Sequence, residues 1–285
     1  MANAGDVPGL IDSLIAGGAA RLARKPPRAT YRLQLYAGFT FRDAESIVPY
    51  LDELGISHLY ASPYLKASPG STHGYDITDH GQLNPEIGDA SDHAAMVESL
   101  RSRGLGQILD IVPNHMGILG NENHWWNDVL ENGPASEYAA NFDISWHGSP
   151  RPELWERLLI PFLGEPYGEA LESGKIQLGF EGGSLSVHYA DHRYPIRPES
   201  YGMVLGQGLD DFKADLPADD PSLLEYLSIL TSIGHLPPTS ETSPEKLDER
   251  RREKEVIKRR LQALTEGDPR VLAFIERAVE RLNET

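Results

Sequence analysis

A chain of 285 residues with 40% hydrophobic and 24% charged residues is long enough for one large or two ordinary domains. It carries too much apolar side chain for wholesale disorder. Acidic residues outnumber basic ones 43 to 26, a formal charge of −17, which repels phosphate backbones and anionic lipid surfaces and argues against nucleic-acid and membrane partners. The absence of cysteine removes disulfides, thiolate metal sites and thiol nucleophiles, and no apolar stretch approaches the roughly 18–20 residues that span a bilayer.

Residues 1–27 read as an N-terminal tail. Ile11, Leu14, Ile15 and Leu22 suit one short amphipathic helix, ended by Lys25-Pro26-Pro27. Asp6 and Asp12 stand where a secretory signal needs a basic start and an unbroken apolar core, so a cytoplasmic address is expected. From Thr30 the pattern becomes regular. Thr30 to Leu35 alternates as a strand. Thr40 then caps a predicted helix with Phe41, Ala44, Ile47, Val48, Leu51 and Leu54 at helical spacing, ended by Gly55. Ile56 to Ala61 is the next predicted strand, followed by a long loop through Gly88 and a helix from about Asp92 to Arg103. Gln107 to Val112 is a nearly continuous apolar run, the pattern of a strand buried on both faces of a parallel sheet. Strand, helix, strand, helix, strand over residues 28–113 predicts an α/β fold with right-handed crossovers.

After residue 113 the rhythm stops. Residues 114–240 are rich in Gly, Pro, Asn and Trp, with short strand candidates such as Leu185 to Tyr189, and read as an irregular inserted subdomain. Residues 241–285 read as helical. Ser243-Pro244 opens a charged helix to about Leu264, with Leu247, Ile257, Leu261 and Leu264 as its apolar face, and Pro269 to Leu282 is a second helix. The run Asp248 to Arg260 holds seven basic and four acidic residues, and such interleaved signs predict a solvated helix with local ion pairs.

Two loops follow predicted strands, where α/β folds place their sites. The first runs through Ser71-Thr72-His73-Gly74-Tyr75-Asp76 to His80; the second is Asp110-Ile111-Val112-Pro113-Asn114-His115. Asp110 inside a strand must be paired, which favours an anchoring role over proton transfer. His115 fits either a hydrogen-bonded loop histidine or a donor to a substrate hydroxyl. A metal site is not expected: there is no His-Glu-x-x-His helix, no cysteine pair and no calcium-loop spacing. Trp125, Trp126 and Trp146 sit among Asn121, Asn123, His124 and Asn127. Aromatic faces flanked by amides suit a sugar ring, although such tryptophans also serve as core packing.

Asp110, Asn114 and His115 in D-x-x-x-N-H spacing resemble the motif at the third barrel strand of the α-amylase superfamily, glycoside hydrolase family 13. His73-Gly74-Tyr75-Asp76 resembles its companion substrate-binding loop. The runs His124 to Gly133, Ser136 to Ala139, Asn141 to Trp146, His192 to Arg197 and Arg252 to Leu261 are similar to one branch, the maltooligosyl trehalose synthases. The similarity covers about residues 28 to 283. It implies a (β/α)8 TIM barrel. Tyr75 would stack on the sugar at the cleavage subsite with His73 and Asp76 in the same binding loop, and His115 would donate to a hydroxyl of that ring. Asp110 would hold an arginine at the mouth of the fourth strand, Asn114 would brace the loop into the insertion, and Trp125 and Trp126 are candidates for the pocket lining.

In this family the nucleophile lies in an arginine-x-aspartate segment after strand four and the general acid follows strand five. No Arg-x-Asp occurs after residue 115. The resemblance therefore implies a partial barrel of three strands with the insertion and the C-terminal helices. It further implies that the chain is the N-terminal portion of a retaining intramolecular transglucosylase, with the catalytic acids outside it. Its substrate would be maltooligosaccharides or glycogen-derived glucan. Its protein partner would be the C-terminal portion of the same enzyme, and no cofactor is implied. A maltooligosaccharide hydrolase of the same superfamily and a non-catalytic glucan-binding module are the alternatives.

Overall fold

The computed structural model describes Asp12 and residues 26–241 and 243–284. Apart from Asp12, the amphipathic segment expected before Lys25 lies outside the described residues. The chain divides into two compact units, one ending at Gly117 and the other starting at Ile118.

In the first unit, strand β1 (Thr30–Leu33) leads to Thr40, whose side chain accepts from the Asp43 N–H while the Asp43 carboxylate accepts from the Thr40 N–H. This capping box opens helix α1 (Phe41–Ser46). The single helix expected over 41–54 is in fact two, α1 and α2 (Val48–Glu53). Pro49 in the first turn of α2 has no N–H to give to the preceding turn, so the ladder breaks at Ile47. Strand β2 (His58–Ala61) follows, then β3 (Leu65–Ala67) and β4 (Ile77–Leu83), an antiparallel pair inside the segment expected to be loop. A second capping box, Asp89 with Asp92, opens helix α3 (Ala90–Ser102), and β5 (Gly106–Leu109) completes the unit.

Strands β1, β2 and β5 form a parallel sheet in that order. Leu33, Leu59 and Ala61 face the helices and share a core with Phe41, Leu51, Met96 and Leu100. Arg32, Tyr60 and Ile108 stand in register on the opposite face. The expectation of a third strand buried on both faces does not hold. Among the described residues β5 pairs only with β2, and it alternates in burial, with Leu109 41% and Ile111 66% exposed. Apolar composition marked β5 as a strand, but burial on both faces needs neighbours that an outer strand lacks.

In the second unit, the Asn123 side chain caps helix α4 (His124–Asn132). Helix α5 (Tyr167–Glu172) precedes an antiparallel sheet of β6 (Ile176–Glu181), β7 (Ser184–Tyr189) and β8 (His192–Pro195). The two-residue turn Gly182-Gly183 between β6 and β7 has both φ angles positive, and a Cβ on Gly183 would lie 2.1 Å from the Lys258 carbonyl oxygen. Helices α6 (Tyr201–Leu205), α7 (Leu209–Ala214), α8 (Pro221–Gly234), α9 (Pro244–Gly267) and α10 (Pro269–Asn283) follow. One core joins Leu185 of β7 to Tyr201, Tyr226, Ile257, Leu261, Phe274 and Ile275, so the helices beyond residue 240 pack on the same core as the segment before it.

Helix α9 has the exposed face and the local ion pairs its charge pattern predicts, such as Arg251–Asp248 and Lys258–Glu255, but Arg250 and Lys254 depart from it and are buried, at 1% and 5% exposure. The Arg250 guanidinium donates to Glu199 at 2.5 and 3.1 Å and to the Pro237 carbonyl at 2.6 Å. The Lys254 ammonium donates to Glu131 at 2.8 Å and Asp128 at 3.1 Å. Sequence spacing reports charges along one helix and is blind to carboxylates arriving from α4 and from the Pro198–Ser200 turn.

Candidate functional site

Parallel strands β1, β2 and β5 end together, and the chain extends the ladder one step further: the Asp110 N–H donates to Ala61 O at 2.9 Å. Asp110 is thereby in phase with Ile108, on the face that carries Tyr60 and Arg32. Both the Tyr60 hydroxyl (2.9 Å) and the Tyr75 hydroxyl (2.5 Å) donate to Asp110 Oδ2. The Arg32 Nη2 donates to the Tyr75 oxygen at 2.7 Å, and the guanidinium lies over the Tyr60 ring, 5.4 Å from its centre. The Tyr75 hydroxyl, the Tyr60 hydroxyl and the nearby Arg32 charge hold the Asp110 carboxyl below the usual carboxylate range despite partial desolvation. The Tyr75 hydroxyl, hydrogen-bonded to that carboxylate, is pushed up and stays protonated.

The loop that delivers Tyr75 is built from its own polar residues. Ser71 Oγ donates to Asp76 Oδ1 at 2.5 Å and accepts from the Gly74 N–H at 3.1 Å. Gly74 has φ +75°, and a Cβ there would lie 3.1 Å from the Pro63 carbonyl oxygen, so both conformation and close approach require glycine. Gln34, next on the Arg32 face, donates to the carbonyls of Thr72 (3.2 Å) and His73 (2.8 Å). His73 Nδ1 accepts from the Tyr75 N–H at 3.1 Å, which leaves Nε2 as the protonated nitrogen of the neutral ring.

Tyr75, Asp76, His73 and Asp110 therefore stand in one connected network with Arg32, Gln34 and Tyr60. Asn114 and His115 follow β5 in the same unit and are exposed; His115 Nδ1 lies 3.0 Å from Asn114 Oδ1. Within this unit Asp110 is linked to a guanidinium through a phenol: Arg32 of β1 bonds the tyrosine that bonds Asp110. Trp125 and Trp126 belong to the second unit. Trp125 stacks on Tyr138 with ring centres 5.1 Å apart and planes at 9°. Trp126 is 7% exposed and packs on Phe142 at 5.2 Å, which makes it a packing residue. Among the described residues no three His, Asp or Glu side chains gather closely enough to hold a metal ion.

Sequence reading missed Arg32, Gln34 and Tyr60. The signal was present: in Tyr31-Arg32-Leu33-Gln34-Leu35 two polar residues share the face opposite the buried leucines, and polar side chains near the C-terminal end of a parallel strand point to a site.

Residues 44–159 match the family model for the α-amylase catalytic domain. A putative maltooligosyl trehalose synthase of Mycobacterium tuberculosis is 43% identical over 182 residues, 61% of this chain and 22% of that protein. The intracellular maltogenic amylase of Bacillus subtilis is 36% identical over 95 residues, 33% of this chain and 15% of that protein. Among solved structures, maltooligosyltrehalose synthase from Arthrobacter ramosus matches with a TM-score of 0.53 and 42% identity, covering 60% of this chain and 21% of that one. The chain thus spans about a fifth of the length of its maltooligosyl trehalose synthase relatives. The α/β fold agrees with these matches, and over about 60% of its length the chain is similar to maltooligosyl trehalose synthases.

Proposed function

We propose that this chain supplies the glucan-gripping loops of a retaining intramolecular transglucosylase. That enzyme would convert the reducing-end α-1,4 bond of a maltooligosaccharide into an α,α-1,1 bond. The observation that carries the reading is the Tyr75 ring, tied through its hydroxyl to Asp110 and Arg32 beyond the ends of parallel strands. With the hydroxyl engaged, the ring offers its face to sugar CH groups, while His73, Asp76 and His115 provide polar groups for hydroxyls. The printed names of the relatives from M. tuberculosis and A. ramosus support the same substrate class. Tyr75 would stack on the sugar at the cleavage subsite and His115 would donate to one of its hydroxyls. Asp110 anchors the ring and Asn114 orients His115.

In the complete enzyme a carboxylate attacks the anomeric carbon as an acid protonates the departing glucose oxygen. The released glucose turns in a closed site, and its 1-hydroxyl displaces the carboxylate to form the new bond. The chain has no Arg-x-Asp after residue 115. We therefore assign the nucleophile and general acid to polypeptide outside this chain, which is its protein partner. In this reading β1, β2 and β5 are the first three strands of a (β/α)8 barrel, 118–285 the insertion and following helices, and glycogen-derived glucan in the cytoplasm the substrate pool.

Calorimetry of the chain with maltopentaose tests the binding claim: saturable binding is expected, weakened about tenfold by Tyr75→Ala. Absence of binding overturns the reading. Formation of a non-reducing product by the chain alone overturns its assignment as inactive.

A further inference from the structure

We propose that the second unit carries a separate binding site for a phosphorylated sugar, in a cavity of about 650 Å³. Three aromatic side chains line it, Trp146, Phe162 and Tyr194, with the Phe162 and Tyr194 ring centres 4.4 Å apart. Arg157 and Arg197 line the same cavity, and neither guanidinium has a hydrogen bond or ion pair among the described residues.

The chain holds 43 acidic against 26 basic residues, so partners are abundant. Arg42, Arg193, Arg250, Arg260 and Arg270 all have carboxylates. Two arginines without them at one aromatic cavity leave it with a net positive charge of one, after the only carboxylate in the lining, Glu156, is counted. A neutral glucan has no use for that charge. A phosphate does, because its oxygens match the planar guanidinium fork. The aromatic faces suit the CH groups of an attached ring, and the volume lies in the range of small-molecule sites.

The backbone at the wall is held in an unusual state. Glu156 is a non-glycine residue at φ +57°, and its N–H donates to the Trp146 carbonyl at 2.9 Å. That contact fixes Arg157 beside the cavity, and backbone strain of this kind gathers at ligand sites. Tyr194 and Arg197 come from the run His192 to Arg197, which the glucan reading leaves without a role.

The test is calorimetry of the whole chain with glucose 6-phosphate, with inorganic phosphate and with maltotriose. Expected is one-to-one binding of glucose 6-phosphate. It weakens about tenfold or more in the double variant Arg157→Gln/Arg197→Gln, falls with added salt, and is unchanged in Tyr75→Ala. Both arginines are exposed, so the double variant retains the wild-type melting transition, and Tyr194→Leu provides a second, aromatic arm. The proposal is overturned by no binding of glucose 6-phosphate, by binding indifferent to the double variant, or by inorganic phosphate binding as tightly as the sugar phosphate. Maltotriose binding more tightly than glucose 6-phosphate in an arginine-independent manner overturns the anionic ligand in favour of a neutral one.

Discussion

The Tyr75 hydroxyl donates to Asp110 at 2.5 Å and accepts from Arg32 at 2.7 Å, so one phenol oxygen ties β1 and the residue after β5 to the loop between β3 and β4. A phenol with its oxygen committed twice has only its ring left to offer. The ring orientation is then set by the sheet rather than by the loop.

This arrangement separates two variants. Tyr75→Phe keeps the ring and removes the donor that does most to lower the Asp110 pKa. Maltopentaose binding is expected to weaken about threefold, through a less firmly held ring, and the Asp110 carboxyl to titrate at higher pH by NMR. Tyr75→Ala removes the stacking face and weakens binding about tenfold. Equal effects of the two variants would mean that the hydroxyl, not the face, meets the sugar.

The Asp110 carboxyl also sets a pH dependence. Its folded pKa lies below the unfolded carboxylate value of about 3.9, so its contribution to stability is fully present above that value. It fades as pH falls through the lowered folded value. Melting curves for wild type and Asp110→Asn should therefore differ near neutrality and converge in acid. A difference that persists at the lowest pH would assign the effect to packing.

Lys254 titrates in the opposite sense. Its buried ammonium, between Glu131 and Asp128, has a raised pKa because those carboxylates outweigh its desolvation. The stabilisation is complete below the unfolded lysine value of about 10.4 and is lost as pH rises through the folded value. Lys254→Ala leaves Glu131 buried with one ammonium fewer and should cost about 3–5 kcal/mol in denaturant unfolding. Lys254→Met combined with Glu131→Gln should recover part of that loss, since the most buried carboxylate is neutralised together with its partner while Asp128 and Lys258, which lose a partner each, are less buried.

The α/β order of the first unit was legible because its signals are local: Thr40 as a cap, alternation along Thr30 to Leu35, Gly55 as a stop. The network around Tyr75 was half legible. His73, Tyr75, Asp76 and Asp110 stood out as polar residues after strands, whereas Arg32 and Tyr60 join only through the parallel register that sets Arg32 beside Tyr60. The second unit was poorly legible because its charges pair across long sequence distances. Lys254 meets Asp128 over 126 residues and Arg250 meets Glu199 over 51, and no helical periodicity carries such information. Trp125 and Trp126 are adjacent yet diverge, one stacked on Tyr138 and the other buried against Phe142, because neighbouring helical residues point about 100° apart.

Gly74 and Gly104 provide the last discrimination. Both have positive φ, +75° and +69°, but a Cβ at Gly104 would meet nothing within 4 Å while one at Gly74 would press on the Pro63 carbonyl at 3.1 Å. Gly104→Ala should then cost about 1 kcal/mol, the strain of the left-handed conformation alone. Gly74→Ala should cost about 1–3 kcal/mol, because the loop must also move off Pro63. That movement shifts Tyr75, the next residue, away from Asp110. Gly74→Ala is therefore expected to weaken maltopentaose binding and raise the Asp110 pKa, whereas Gly104→Ala changes only the melting temperature. If both variants lost binding equally, the Tyr75 loop would be responding to global stability and not to the contact with Pro63.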